Sequence, residues 1–148
     1  MEVSVATLDD VPQLRELLEL LFSQEAEFEA ARAVQDAGLR QVIARSEVGQ
    51  ILVVRDDASV VGMVNLLFTV STALGGRVGL LEDMIVHPSW RGGGAGSLLL
   101  QFAITAARSA GCLRLTLLTD RTNEAAQRFY GRQGFVLSDM IPLRLKLN

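Results

Sequence analysis

The apolar positions of the chain change period several times, and each change marks an element. Glu2–Ala6 alternates weakly, as a short strand does. Thr7-Leu8-Asp9-Asp10 has the form of a capping box, Pro12 suits a first helical turn, and Val11, Leu14, Leu18 and Leu21 then share one helix face. A second helical pattern covers Ala30–Ser46, punctuated by Gly38, and the acidic stretch Ser23–Glu29 lies between the two. Ile51–Arg55 and Val60–Val70 are apolar, β-branched runs around the turn Asp56–Ser59, which predicts a hairpin. Leu74-Gly75-Gly76 turns the chain into a third run, Val78–Val86, which Pro88 closes. A glycine cluster then opens a helix over Ser97–Ala110 that ends at Gly111, and Leu113–Leu118 reads as a strand. Thr122/Asn123 opens a helix to Arg132 with Gly134 as its stop, and Phe135–Ser138 and Leu143–Leu147 read as final strands around Pro142.

The predicted order is β-α-α-β-β-β-α-β-α-β-β, an α/β class chain. The three central strands pair antiparallel, and the strand–helix–strand crossover in the second half implies one parallel pair. The expectation is a mixed sheet with helices on both faces, where ligands sit at a change of strand direction. No linker, low-complexity tract or internal repeat divides the sequence, so residues 1–148 are expected to form a single domain.

Composition narrows the chemistry. The chain holds one His (His87), one Cys (Cys112), one Tyr (Tyr130) and one Trp (Trp90), and of its 14 basic residues only Lys146 is a lysine. A Cys/His zinc site needs three or four such ligands, so no metal is expected. A disulfide lacks a second Cys, a P-loop lacks its Lys, and a Schiff-base lysine so near the C-terminus is a poor candidate. Carboxylates, hydroxyls, backbone amides and arginines remain. A net charge of −3 and few aromatics argue against nucleic acid. No secretory pattern opens the chain and no apolar run reaches the roughly 20 residues of a membrane span, which reads as a cytoplasmic protein. The charge is uneven, with 12 acids against 5 bases in residues 1–74 and 5 acids against 9 bases in residues 75–148. Two halves of opposite sign point to different ligands on different sides, although chance produces the same imbalance.

Four of the 13 glycines fall in Arg91-Gly92-Gly93-Gly94-Ala95-Gly96-Ser97, directly before a helix. Glycines admit close approach of a ligand to backbone, and the first helical N–H groups lack intrahelical partners. With the positive end of the helix dipole and Arg91, this is a phosphate or pyrophosphate site. The dinucleotide fingerprint fails, because Ser97 stands where its third glycine belongs and no acid follows about 20 residues on.

At this point the sequence resembles the Gcn5-related N-acetyltransferase (GNAT) family. Arg91–Gly96 matches that family's R/Q-x-x-G-x-G/A loop, and Leu81-Glu82-Asp83-Met84-Ile85-Val86-His87-Pro88 looks like its fourth strand. Asn123–Phe135 looks like its N-x-x-A-x-x-x-Y-x-x-x-G-F helix and strand, so three motifs stand in order over residues 80–136. The resemblance implies transfer of an acetyl group from acetyl-CoA to a primary amine of a small molecule or peptide, with no metal. It implies that Arg91, Gly92, Gly93, Gly94, Ala95, Gly96 and Ser97 hold the pyrophosphate, and that Met84, Ile85 and Val86 pair with the pantetheine arm. An N–H near Val86 would face the thioester oxygen, and Asn123 would contact pantetheine or order its helix. Tyr130 occupies the general-acid position, with a core tyrosine beside Phe129 as the alternative. Glu82 occupies the position of the base that many relatives use to deprotonate the amine. Regular alternation puts Glu82, Met84 and Val86 on one face and Asp83 on the other, and a bulge would make Asp83 a rival.

Other residues read more plainly. His87 is a turn residue, Cys112 a small buried hydrophobe, and Trp90 packing for the loop. Gly93 departs from relatives that carry a basic or polar side chain there. Glu25, Glu27 and Glu29, with Glu82 and Asp83, would make an acidic entrance for a cationic acceptor, or simply a solvated helix face. The family is often dimeric, but no motif here demands it. A silent acyl-CoA-binding or regulatory module is the alternative function, and Tyr130 and Glu82 argue against it.

Overall fold

The computed structural model describes residues 1–24 and 31–148. They form two compact units, Met1–Leu118 and Thr119–Asn148. The first unit contains β1 (Glu2–Val5), α1 (Val11–Gln24), α2 (Arg32–Ala44), β2 (Gly49–Asp56), β3 (Ser59–Ser71), β4 (Gly76–Val86), α3 (Ala95–Ser109) and β5 (Leu115–Leu117). The second contains α4 (Glu124–Arg132). The sheet order is β1-β2-β3-β4-β5, antiparallel throughout except for the parallel pair β4–β5. The expected mixed sheet and its crossover are therefore present.

Both sheet faces are covered, and alternation along the strands divides the apolar residues between them. Ile51, Val53, Met63 and Ile85 cluster with Val11, Leu14, Leu17 and Leu18 of α1 and Leu39 of α2. The intervening Leu52, Val54, Val64 and Leu66 are equally buried on the opposite face, where α3 brings Leu99, Leu100 and Ala103. This two-sided burial explains why β2 and β3 are nearly continuous apolar runs rather than alternating ones.

A charged clamp closes the start of the fold. Arg55 on β2 donates to both carboxylate oxygens of Asp10, Nη1 to Oδ1 at 2.9 Å and Nη2 to Oδ2 at 2.7 Å. Its Nε reaches Ser4 Oγ at 3.2 Å, and the Thr7 amide donates to Asp10 Oδ2 at 2.8 Å. Asp10 is buried, so three hydrogen bonds from Arg55 and Thr7 stand in for its lost hydration and, with the Arg55–Ser4 bond, tie β1, the turn before α1 and β2 together. The Arg55 hydrogen bonds hold the Asp10 carboxyl below its ordinary value against the opposing effect of burial, and Asp10 raises Arg55 in turn.

The second unit departs from expectation. Phe135–Ser138 and Leu143–Leu147 form no strand. An alternating run becomes a strand only when its amides meet a neighbouring ladder, and this unit has none among its described residues. The acidic Glu25, Glu27 and Glu29 lie outside the described residues.

Replacing Asp10 by Asn should lower the unfolding free energy by about 3 kcal/mol at neutral pH, since it leaves the Arg55 charge unpaired. Because the folded carboxyl titrates below its unfolded value, the contribution is complete above about pH 4 and fades as pH falls further. Denaturant titrations of both proteins from neutral to acid pH should converge; a constant gap would contradict the role.

Candidate functional site

The site begins at an irregularity in β4. Its register against β3 steps from Met63↔Ile85 to Asn65↔Glu82, so β4 contains one residue more than its partner across this stretch. Asp83 takes the extra position with φ +54, a left-handed conformation that Asp tolerates better than most residues. The bulge reverses the side-chain phase. Directly opposed residues share a face, so Glu82 lies with Asn65 and Ile85 with Met63 on the α1 side, while Met84 and Val86 face the α3 side. Asp83 is held toward Asn65, whose Nδ2 donates to its Oδ2 at 2.7 Å. The expectation that Glu82, Met84 and Val86 share a face, with Asp83 opposite, is thus overturned: both carboxylates attach to the Asn65 side.

The bulge coincides with a change at the other edge of β4. β5 pairs with β4 only over Gly79, Leu80 and Leu81. From Glu82 to Val86, β4 has no strand on that side among the described residues. The His87 amide donates to Val61 O at 2.8 Å, which makes His87–Val61 a hydrogen-bonded pair and the adjacent Val86–Gly62 a non-hydrogen-bonded one. The Val86 N–H and C=O consequently point away from β3, to the open edge. Gly62 permits this close approach, since a side chain there would meet Val86 Cγ2 and the Ile85 carbonyl.

Beyond Val86 a short 3₁₀ turn, Pro88–Trp90, leads into the glycine loop. Gly92 and Gly94 take φ of +82 and +89, so both positions require glycine. Gly94 caps α3, and the first bond of the helix runs from Leu98 N to Gly94 O. The amides of Ala95, Gly96 and Ser97 precede that bond and lack acceptors within the helix. Ala95 is itself buried, so only its backbone can meet a ligand. Arg91 is exposed, and its Nε donates to Val86 O at 2.9 Å, bracing the loop against the end of β4. A Cβ at Gly92 or Gly94 would meet nothing within 4 Å, so the loop has open space beside the amides that begin α3.

His87 is half-buried, and its Nδ1 accepts from the Ser89 amide at 3.1 Å, which makes it a turn cap. It also lines a cleft of about 370 Å³ with Gln13, Glu16, Leu17, Glu19 and Val60. Glu19 accepts from Arg32 Nε at 2.7 Å. The Cys112 thiol is partly buried, and burial raises its pKa against the effect of Arg77. Among the described residues no group of three or more His, Cys, Asp and Glu is placed to hold a metal, and no helix is long and apolar enough to cross a membrane.

The remaining two candidates belong to the second unit. Asn123 caps α4, its Oδ1 accepting from the Ala126 amide at 3.0 Å. Tyr130 sits near the other end of α4 between Phe129 and Phe135, edge-to-face at ring-centroid distances of 5.2 and 5.9 Å. Burial raises the phenol above its ordinary pKa.

Sequence reasoning missed Asn65, Glu16 and Glu19. Asn65 left a signal, as the one polar side chain in the run Val60–Phe68. Glu16 and Glu19 left none, because only packing of α1 beside the end of β4 brings them near His87.

The bulge thus leaves one edge of β4 unpaired just before the glycine loop and the start of α3, and comparison with known proteins identifies the family. Residues 11–135 match the acetyltransferase (GNAT) family model. Glucosamine 6-phosphate N-acetyltransferase of Trypanosoma brucei brucei is 36% identical over 77 residues, 51% of this chain and 50% of that enzyme. Aminoalkylphosphonate N-acetyltransferase of Salmonella typhimurium is 30% identical over 134 residues, 90% of this chain and 84% of that enzyme. An integron cassette protein from the mobile metagenome of Cole Harbour Salt Marsh superposes with a TM-score of 0.86 at 27% identity, over 99% of this chain and 90% of its own. The chain belongs to the acetyltransferase (GNAT) family, and with it to the transferase enzymes.

Removing the Asn65 side-chain amide by Asn65→Ala should cost about 1–3 kcal/mol of stability, because the bulge loses its cross-strand donor. Urea unfolding measures it; a loss below about 0.5 kcal/mol would mean that the bulge stands without Asn65.

Proposed function

We propose that this protein moves an acetyl group from acetyl-CoA to the primary amine of a small molecule or peptide, and that residues 1–148 act as one N-acetyltransferase domain. The observation that carries this reading is the unpaired edge of β4 from Glu82 to Val86, which runs straight into the glycine loop. A pantetheine arm laid along that edge, past Met84, Ile85 and Val86, would bond like an added strand to the backbone groups that point outward, those of Val86 first. Its pyrophosphate would then meet Arg91, Gly92, Gly93, Gly94, Ala95, Gly96 and Ser97. The two curated relatives support an amine acceptor, since both are named for amines that also carry a phosphorus acid.

The chemistry needs little beyond these groups. The amine nitrogen attacks the thioester carbonyl, an N–C bond forms, and the C–S bond breaks. The Val86 N–H, turned to the open edge, would stabilise the negative oxygen, an effect worth about 3–4 kcal/mol where such donors have been removed. Glu82, with Asp83 as its rival, would take the proton of the amine directly or through water. Tyr130 would give its proton to the departing thiolate; with its pKa raised by burial, the phenol is fully protonated at neutral pH. Asn123 would hold the start of α4 and, with it, the helix that carries Tyr130. The cleft beside His87 opens on the same sheet face as Glu82, and Glu16 and Glu19 there would favour a cationic amine.

Titration calorimetry should show saturable binding of acetyl-CoA to the folded protein, and its absence would remove the reading. In a thiol-release assay against a panel of amines, Tyr130→Phe should lower kcat about 100-fold while leaving acetyl-CoA affinity nearly unchanged. Undiminished turnover would take Tyr130 out of the mechanism, and an active-site tyrosine absent from any measurable reaction would favour a binding module.

A further inference from the structure

Asn65 is the one polar side chain in the apolar run Val60–Phe68, and it is buried, at 7% exposure. Its partner orients it. A carboxylate accepts and does not donate, so the amide turns Nδ2 to Asp83 Oδ2 at 2.7 Å and Oδ1 away. That Oδ1 is buried and meets no donor among the described residues. A buried acceptor without a partner destabilises a fold, and an apolar side chain of similar size would avoid the cost. Asp83 adds a second local cost, because its φ of +54 lies in the left-handed region instead of the extended one. Both features fall where β4 has just lost β5, and one hydrogen bond joins them. Two costs concentrated at the edge that the proposed reaction uses point to a task that packing alone does not set.

The kind of partner matters. Asp10, the other aspartate clamped across strands, is held by the Arg55 guanidinium, whose hydrogen bonds keep that carboxyl below its ordinary value. A carboxylate bound in that way resists protonation. Asn65 supplies a donor without a charge, which fixes the direction of Asp83 and adds no ion pair against proton uptake. Glu82, directly opposite Asn65, is exposed and carries no such tether. Its side chain also has one more rotatable bond, and a base that must be ordered during the reaction loses rate accordingly. The charged groups of the neighbouring elements have other roles. α1, packed across this face of β4, carries Arg15, Glu16 and Glu19. Arg15 is bonded to Asp36 and Glu19 to Arg32 of α2, while His87 caps the turn after β4.

We propose that Asn65 is a positioning residue for acetyl transfer: its Nδ2 aims the Asp83 carboxylate, and Asp83, in place of Glu82, takes the proton of the attacking amine. The inference rests on the acetyl-transfer reading and deepens it by choosing the base and the residue that sets it. In the step, the amine nitrogen bonds to the thioester carbon and its proton passes to the Asp83 carboxylate. The C–S electron pair leaves on sulfur, which Tyr130 protonates as above. Asp83 ends as the carboxylic acid and returns its proton to water.

The pH dependence of kcat, read as thiol release from acetyl-CoA at saturating amine, tests it on the full chain. Asn65→Leu keeps the size and removes the donor. It should lower kcat about tenfold or more while leaving acetyl-CoA affinity by calorimetry within about twofold. The acid limb of the profile should move up by about one pH unit, because the carboxylate loses a hydrogen bond that favours its charged form. Asp83→Asn should abolish that limb, and adding Asn65→Leu to it should cause no further loss of kcat, since Asn65 acts through Asp83. Losses that multiply, an acid limb that Asn65→Leu leaves in place, or a limb that survives Asp83→Asn and disappears with Glu82→Gln each overturn the proposal. If Asn65→Leu does not fold by circular dichroism, Asn65→Asp takes its place. It keeps the shape and sets a second carboxylate against Asp83, so the limb should again rise, and an unmoved limb overturns the role. These outcomes leave the acetyl-transfer reading standing, because the wild type still turns over. A wild type that releases no thiol with any amine fails that reading, and this proposal with it.

Discussion

One extra residue in β4 governs the site. At Asp83 the strand departs from the pleat of β3, and everything beyond it is displaced by one position relative to simple alternation. That shift sends Ile85 into the α1 core, gathers Glu82 and Asp83 near Asn65, and turns Met84 and Val86 to the α3 face. Pairing with β5 ends at Leu81, immediately before the bulge, so the backbone that follows has hydrogen-bonding groups without a strand to receive them. The same local twist that ends one interaction prepares another, because strand bulges bend and increase twist where they occur.

The surrounding fold keeps that irregularity in place. The sheet is packed on both faces, so β3 cannot slip against β2 without moving every apolar side chain to the wrong layer. The Arg55–Asp10 pair joins β2 to the start of α1, and α1 in turn buries Ile85, the first residue back in register after the bulge. At the far end of β4, Arg91 bonds to Val86 O and connects strand to glycine loop. The loop's two left-handed glycines then deliver the chain to α3, whose first three amides have no acceptor within the helix. Strand edge, loop and helix dipole form a continuous path of donors, and this continuity makes the family assignment chemically meaningful.

The two units differ in how they satisfy their apolar residues. Met1–Leu118 buries its leucines, isoleucines and valines in two layers, whereas Thr119–Asn148 ends in a segment that exposes them.

Much was legible in the residues. Strand runs such as Val60–Val70, the helix stripe Val11, Leu14 and Leu18, and the glycine stops follow from side-chain periodicity and backbone sterics, which act within a few residues. The glycine loop was legible for the same reason, since its glycines and the helix start are adjacent in sequence. Phe135–Ser138 and Leu143–Leu147 had the local pattern of strands, yet a strand also needs a neighbour, and no local pattern provides one. Asn65 and Asp83 lie eighteen residues apart, and Glu16 and His87 farther still, so their meeting depends on sheet register and helix docking. The residues alone were enough for the elements through α4, the glycine loop before α3 and the family. Which face each carboxylate occupies, where β4 loses its neighbour and which apolar surface stays uncovered were decided only by tertiary structure, because a one-residue bulge costs little locally and redirects every side chain beyond it.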